Sequence, residues 1–215
     1  MSSPHAEGAA WDLPVRAFHW LLVVLVVFSF VTGKAGGPWL DWHFKSGYAI
    51  LALLLFRVAW GFAGPANARF TAFVRGPVAA LGHARELIAR RVTAKAGHTP
   101  LGGWMVLAML VVLALQAGTG LFTNDESSHE GPLSRMVSNA TVDRMSVIHG
   151  WNQWVVAAVV GVHVVAIAYY HVVLKANVTR GMVTGPTQVP ARAWALLAAA
   201  AGAVYYVVVV LPRPA

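Results

Sequence analysis

Five apolar runs constrain the fold of this chain more than any other sequence feature. The runs cover residues 17–33, 43–63, 101–122, 147–174 and 193–211. An α-helix rises about 1.5 Å per residue, so roughly 20 residues cross the hydrocarbon core of a bilayer. Only 11% of the 215 residues are charged, whereas a soluble domain carries about 25%. We therefore predict an all-α integral membrane protein with five transmembrane helices.

The distribution of basic residues predicts the orientation of these helices. With the N-terminus in the cytoplasm, ten basic residues lie inside: Arg16, Arg69, Arg75, Arg85, Arg90, Arg91, Lys95, Lys175, Arg180 and Arg192. Five lie outside: Lys34, Lys45, Arg135, Arg144 and Arg213. This excess follows the positive-inside rule and explains the net charge of +8 without nucleic acid binding. The prediction is a cytoplasmic N-terminus and an external C-terminus.

The runs divide the chain into three predicted parts. Residues 1–16 form an N-terminal cytoplasmic segment, 17–185 a four-helix transmembrane bundle, and 186–215 a fifth C-terminal transmembrane helix. No basic segment precedes the first run and no convincing cleavage site follows it, so we predict a retained helix and not a signal peptide. The fifth span carries no ionisable residue before Arg213 and is predicted to be an anchor or a docking surface.

Histidines inside the predicted spans carry the functional signal. The sequence has nine histidines and no cysteine, which excludes disulfides, iron–sulfur clusters and thiolate-bound haem. Five histidines lie within or at the edges of spans: His19, His43, His149, His163 and His171. Ionisable groups in a bilayer are costly and are functional candidates by default. For the other four, His5, His83, His98 and His129, we predict a solvated role.

The spacing of the histidines indicates two separate metal centres. His149 and His163 are 14 residues apart, which places them on one helix face about 21 Å apart along its axis. A single site would need ligands three or four residues apart. His43 starts the second span at the depth of His149, and His19 starts the first span at the depth of His163. Two bis-histidine pairs result, which suit two non-covalent b-type haems with no open position on iron.

Several further residues are candidates for contact with these haems. Gly47, Gly118, Gly120 and Gly161 either leave room for a flat macrocycle or allow close helix packing. Arg16 and Arg57 are candidates for pairing with haem propionates, and Arg57, the deeper of the two, is the preferred one. His171 is an alternative to His163 as a ligand, or a residue at the propionate edge. The loop 123–146 either caps the outer centre or is a linker.

Four stretches of the sequence resemble the prokaryotic cytochrome b561 family, which includes the b-type subunits of membrane-bound nickel–iron hydrogenases. The stretches are WDLPVRAFHW, LLLFRVAWGFAGPANARF, GHTPLGGWMVLAMLVVLALQAGTGLF and IHGWNQWVVAAVVGVHVVAIAYYHVVLKANVTRGMVTG. The resemblance covers about residues 11–185. It implies a four-helix bundle in the bacterial inner membrane that holds two haems b, with His19, His43, His149 and His163 as the ligands. The fifth span departs from this four-helix pattern.

The resemblance implies a place in a respiratory chain. Family members exchange electrons with the quinone pool, as ubiquinone or menaquinone, and with a redox partner such as a hydrogenase or a cytochrome c. We expect an electron-transfer subunit with a protein partner outside the cytoplasm rather than a stand-alone enzyme. One alternative is a self-contained superoxide:quinone oxidoreductase whose basic outer residues attract a small anion. A more distant alternative is a metal-ion or proton transporter, although the middles of the spans are almost entirely Val, Leu and Ala.

Overall fold

The computed structural model describes residues 11–89, 91, 99–124 and 129–213, apart from the side chain of Ile88. Within these residues the chain is helical and forms no strands. Its long helices are α1 (Leu13–Ala35), α2 (Leu40–Ala63), α5 (Pro100–Gly120), α6 (Asn139–Val172) and α8 (Ala191–Tyr205). Their apolar character and length make five helices long enough to cross a membrane, which confirms the predicted all-α membrane fold. Three short helices lie between them: α3 (Phe70–Phe73), α4 (Pro77–Ile88) and α7 (Arg180–Val183).

Polar caps set where the long helices begin. The Asp12 carboxylate accepts the Val15 N–H at 3.2 Å, and Pro14 occupies the first turn of α1, where a missing N–H costs nothing. The Ser138 hydroxyl accepts the Thr141 N–H at 3.3 Å. These caps start α1 and α6 four and eight residues before the apolar runs predicted from hydropathy.

The long helices pack as two hairpins joined through α2. Helix α1 packs along α2, and α5 packs along α6, while α2 also contacts α5 and α8. Within the described residues α1 and α6 do not pack closely against each other. Only 6% of the most apolar stretch of α6 is buried inside the chain. A seam between the two hairpins is therefore left for side chains, ligand or lipid to fill.

The fifth transmembrane helix is part of the bundle. Ala193, Ala200 and Val204 of α8 are buried, and the helix packs on α2. The segment that leads to it passes beneath α1, where Arg16 Nη1 donates to Val183 O at 3.0 Å. Trp20 Nε1 donates to Met182 O at 3.0 Å in the same region. The predicted anchor is thus tied to the first helix by its own connecting segment.

Helix α4 lies outside the spans and covers the ends of α5 and α6. His83 on α4 is 9% exposed, and its Nε2 lies 3.0 Å from the Tyr170 hydroxyl. The Tyr169 hydroxyl donates to Leu87 O at 3.2 Å. The prediction that His83 is solvated was wrong, because α4 folds back on the end of α6 and buries the imidazole. His5 and His98 lie outside the described residues, as do Arg90 and Lys95.

Candidate metal centres

His43 on α2 and His149 on α6 face each other in one half of the bundle, which the predicted orientation makes the outer half. Their ring centroids are 6.0 Å apart, and the ring planes are 89° apart. An imidazole nitrogen binds a first-row metal at about 2 Å, so two rings on opposite sides of one iron have centroids roughly 6 Å apart. The pair is therefore spaced as two axial ligands of one iron would be.

Backbone carbonyls hold both imidazoles in one tautomer. His43 Nδ1 lies 2.8 Å from Ser29 O, and His149 Nδ1 lies 2.9 Å from Gln116 O. A carbonyl oxygen only accepts, so each Nδ1 carries the proton and each Nε2 has a lone pair, which in His149 accepts the Gln116 side-chain amide at 3.1 Å. This is the arrangement expected of metal-binding histidines, whose second nitrogen is held by a carbonyl or carboxylate.

Glycines make room for the two rings. A Cβ on Gly33 would lie 2.8 Å from His43 Nδ1, and a Cβ on Gly120 would lie 3.1 Å from His149 Cε1. A Cβ on Gly47 would meet nothing within 4 Å. Gly120 therefore supports an imidazole, whereas Gly47 leaves open space beside the pair. Gly33 was not predicted from the sequence, because its requirement comes from a side chain on another helix.

The outer pair lies in a cavity of about 370 Å³ that α1, α2, α5 and α6 all line. This volume falls within the range of roughly 300–1,000 Å³ for cofactor sites. Apolar side chains such as Val26, Ile50 and Val156 form much of the wall. Polar residues, including Asn124 and Ser146, line it too. The cavity suits a large, mostly apolar ligand with a polar edge.

The outer loop contributes to this cavity. His129 lines it and stacks on Phe44, with ring centroids 6.4 Å apart and planes 11° apart. His129 Nε2 lies 3.5 Å from an Asp41 carboxylate oxygen. His129 is partly buried rather than fully solvated, and the capping alternative for the loop is the one that the described residues favour. Asp125 and Glu126 of the loop lie outside the described residues.

His19 on α1 and His163 on α6 form the second pair, in the half of the bundle that the predicted orientation makes the inner one. Their ring centroids are 6.5 Å apart, and their planes are 58° apart. Both rings are half-buried. The 14-residue spacing on α6 thus brings each histidine of that helix to a different partner helix at a different depth. His171, which lies eight residues further along α6, is exposed.

Some buried side-chain nitrogens of α1 and α2 have no hydrogen-bond partner. Within the described residues, the buried side-chain polar atoms that lack a hydrogen bond are Arg16 Nε, His19 Nδ1 and Arg57 Nη1. Arg57 is only 2% exposed, and its guanidinium lies over the Phe70 ring at 4.9 Å. A buried cation with an unmet donor is costly unless an anionic group satisfies it. Haem propionates fit this donor set.

Arg16 has a structural role in addition to the haem contact that was predicted for it. Its Nη1 donates to Val183 O at 3.0 Å, and its Nη2 donates to Pro186 O at 2.5 Å. Two of its donors are therefore used on backbone carbonyls of the segment that leads to α8. Arg57, whose Nη1 has no partner, stays the preferred candidate for a propionate, and the prediction for Arg16 stays a prediction.

A multi-pass helical bundle with facing imidazoles at two depths has the architecture of a membrane-bound b-type cytochrome. The sequence model of the prokaryotic cytochrome b561 family matches residues 10–185, more than half of the chain. The chain therefore belongs to the prokaryotic cytochrome b561 family, which implies a b-type haem and electron transfer in the membrane. Helix α8 lies beyond the matched residues. Comparisons with curated proteins and with solved structures gave no match.

Proposed function

We propose that the chain is a dihaem cytochrome that carries electrons across the membrane. The observation that supports this most is the pair of imidazole–imidazole distances, 6.0 Å for His43 and His149 and 6.5 Å for His19 and His163. Each distance suits two axial ligands on one iron. The two pairs share α6, so one rigid helix sets the distance between the centres.

A bis-histidine haem supplies one-electron chemistry and offers no open coordination position on its iron. The residues of this chain position it and tune its potential. The carbonyls of Ser29 and Gln116 accept the Nδ1 protons of His43 and His149, which increases the electron donation of both imidazoles and favours the oxidised state. We propose that the buried guanidinium of Arg57 pairs with a propionate of the inner haem, and this positive charge favours the reduced state. We therefore expect the inner centre to have the higher potential.

The exchange partners follow from the position of the two centres. Asn124, Ser146 and His129 line the outer cavity and lie on the side that the charge distribution predicts to be outside the cytoplasm. We propose that a redox protein exchanges electrons there, and that ubiquinone or menaquinone exchanges electrons within the membrane. The proposed place of the chain is the bacterial inner membrane, with the N-terminus inside and the C-terminus outside.

Proteoliposomes with trapped ferricyanide test transmembrane electron flow directly. With the wild type, an external impermeant reductant should bleach the trapped ferricyanide, whereas the His43→Ala and His163→Ala variants should each lose this activity. Each variant is predicted to keep the spectrum of the other haem, which shows that it has folded. Electron flow that survives the loss of either haem would contradict a two-centre path.

A further inference from the structure

Helix α4 is fixed to the bundle by one of its faces. Ala80 and His83 on this face are buried. The His83 Nε2 to Tyr170 hydroxyl distance is 3.0 Å, and the Tyr169 hydroxyl donates to Leu87 O at 3.2 Å. Tyr169 and Tyr170 lie at the end of α6, the helix that also carries His163. The orientation of α4 about its own axis is thereby set.

The opposite face of α4 presents apolar side chains beside a cation. Val78 is 82% exposed, and Leu81 is 64% exposed. At 100° per residue, Val78, Leu81 and Arg85 share one face. Exposed apolar residues together with basic residues are typical of a helix that lies in the interfacial region of a membrane. Helix α4 fits this description because it connects two predicted transmembrane helices, α2 and α5, in the sequence. Both of its ends are therefore close to the membrane surface.

The charge around α4 is strongly positive. Residues 69–95 contain six basic residues and one acidic residue, Glu86. Arg75 precedes the helix, and Arg91 follows it closely; like Arg85, both are exposed. A guanidinium binds phosphate oxygens in a bidentate manner, and basic segments next to transmembrane helices attract acidic lipid headgroups.

We propose that the face of α4 formed by Val78, Leu81 and Arg85, flanked by Arg75 and Arg91, is a binding site for acidic phospholipids. Val78 and Leu81 enter the boundary between headgroups and acyl chains, and the arginines bind the headgroup phosphates. An acidic soluble protein satisfies the arginines as well, but it gives no reason for the two exposed apolar side chains. The site involves no haem, so its test is independent of the electron-transfer proposal.

The retention of lipid by the purified protein tests whether the arginines bind acidic headgroups. The purified wild type should retain phosphatidylglycerol in preference to phosphatidylcholine, as counted by mass spectrometry of the intact complexes. Replacing Arg85 and Arg91 together by Gln should lower that preference by roughly fivefold for each arginine. The matched control is the replacement of Arg144 and Arg213, two exposed arginines predicted on the other side, by Gln. Equal retention of both lipids by the wild type, or an equal loss in the control, would overturn the proposal.

Fluorescence quenching at two labelled positions tests whether the apolar side chains of α4 enter the membrane. The chain contains no cysteine, so a thiol-reactive fluorophore labels a single position in each of the variants Val78→Cys and Glu86→Cys. In vesicles of phosphatidylglycerol and phosphatidylcholine, brominated acyl chains should quench the label at residue 78 more strongly than the label at residue 86. Quenching of both labels by aqueous iodide, and of neither by brominated lipid, would show that this face of α4 lies in water and would assign its arginines to a soluble acidic partner.

Discussion

At the scale of single residues, the closest packing around the outer centre is between a glycine and an imidazole. Gly33 on α1 faces His43 on α2, where a Cβ would approach Nδ1 to 2.8 Å. That nitrogen also donates to Ser29 O on α1 at 2.8 Å. The Nδ1 edge of the ring therefore lies against the backbone of α1, which leaves no room for a methyl group on Gly33.

The Gly33→Ala variant should lose much of its outer haem, because the added methyl group must push the imidazole away from its position. The measurement is the haem-to-protein ratio of the purified variant, which should fall from about two towards one. Gly118→Ala is the control, since a Cβ on Gly118 meets nothing within 4 Å. An unchanged ratio in Gly33→Ala would show that the imidazole position is not critical.

Arg57 is predicted to raise the potential of the inner haem. Replacing this buried cation by Gln removes a positive charge that favours the added electron, so the higher of the two midpoint potentials should become more negative. Arg57→Lys keeps the charge and should recover most of the shift, while the lower potential serves as an internal control. If a redox titration showed that the lower potential moves instead, Arg57 would lie beside the outer haem, and this prediction would be contradicted.

The sequence predicted residues whose role depends on position along one helix, and it missed those whose role depends on a neighbouring helix. The helical period alone placed His149 and His163 on one face, and the depth of each span assigned partners that the structure brings within 6.5 Å. Gly33, His83 and His129 have no such signal. Their surroundings arise from the packing of α1 on α2, of α4 on α6, and of the outer loop on α2.

At the scale of elements, the connection between α7 and α8 is the part that family resemblance does not explain. Trp20 and Arg16 of α1 donate to Met182 O and Val183 O of α7, and Arg16 also donates to Pro186 O in that connection. Arg192 at the start of α8 lies over the Trp60 ring at 5.5 Å, and Trp60 Nε1 donates to the Asp12 carboxylate at 2.8 Å. The cap of α1, the end of α2 and the start of α8 are thus joined in one network.

The Arg16→Gln variant should be less stable than the wild type by about 2 kcal/mol, because it loses charged hydrogen bonds to Val183 O and Pro186 O. Its haem content should stay at about two per chain, since Arg57 is the proposed propionate partner. Thermal unfolding and haem stoichiometry are measured on the same preparation. Loss of the inner haem at unchanged stability would restore the propionate role that the sequence suggested for Arg16.

Helix boundaries were predicted less accurately than helix number. Hydropathy finds the part of a helix that lies in lipid, so it placed the start of the fourth span at residue 147. Helix α6 begins at Asn139, because the Ser138 cap and a polar first turn extend it beyond the apolar region. Helix α4 was missed for the related reason that its 12 residues are too short to span a membrane.

At the scale of the whole molecule, two helix hairpins enclose the two histidine pairs between them. Helices α1 and α6 do not pack closely along their lengths, although His19 and His163 face each other between them. Helix α2 joins the two hairpins through its contacts with α5, and it also packs on α8. This arrangement leaves a slot for flat ligands without breaking any transmembrane helix. It also explains why the middles of the spans need no polar residues apart from the histidines and their partners.

The orientation of the whole molecule is testable because the chain has no cysteine of its own. A cysteine introduced at Arg213 should react with an impermeant maleimide in intact cells, whereas one at Lys175 should react only after lysis. This labelling pattern is the one expected if the side with more basic residues faces the cytoplasm. The opposite labelling pattern would invert the orientation and would place the cavity of His43 and His149 on the cytoplasmic side.

The central claim is that two histidine pairs each hold one haem. The most direct measurement is the reduced-minus-oxidised spectrum with haem stoichiometry for the wild type, His43→Ala and His163→Ala, each purified in detergent. The account predicts two low-spin b-type haems per chain in the wild type and one in each variant, with the higher-potential haem kept in His43→Ala. A wild type with a single haem, or variants that both lose the same one, would contradict it.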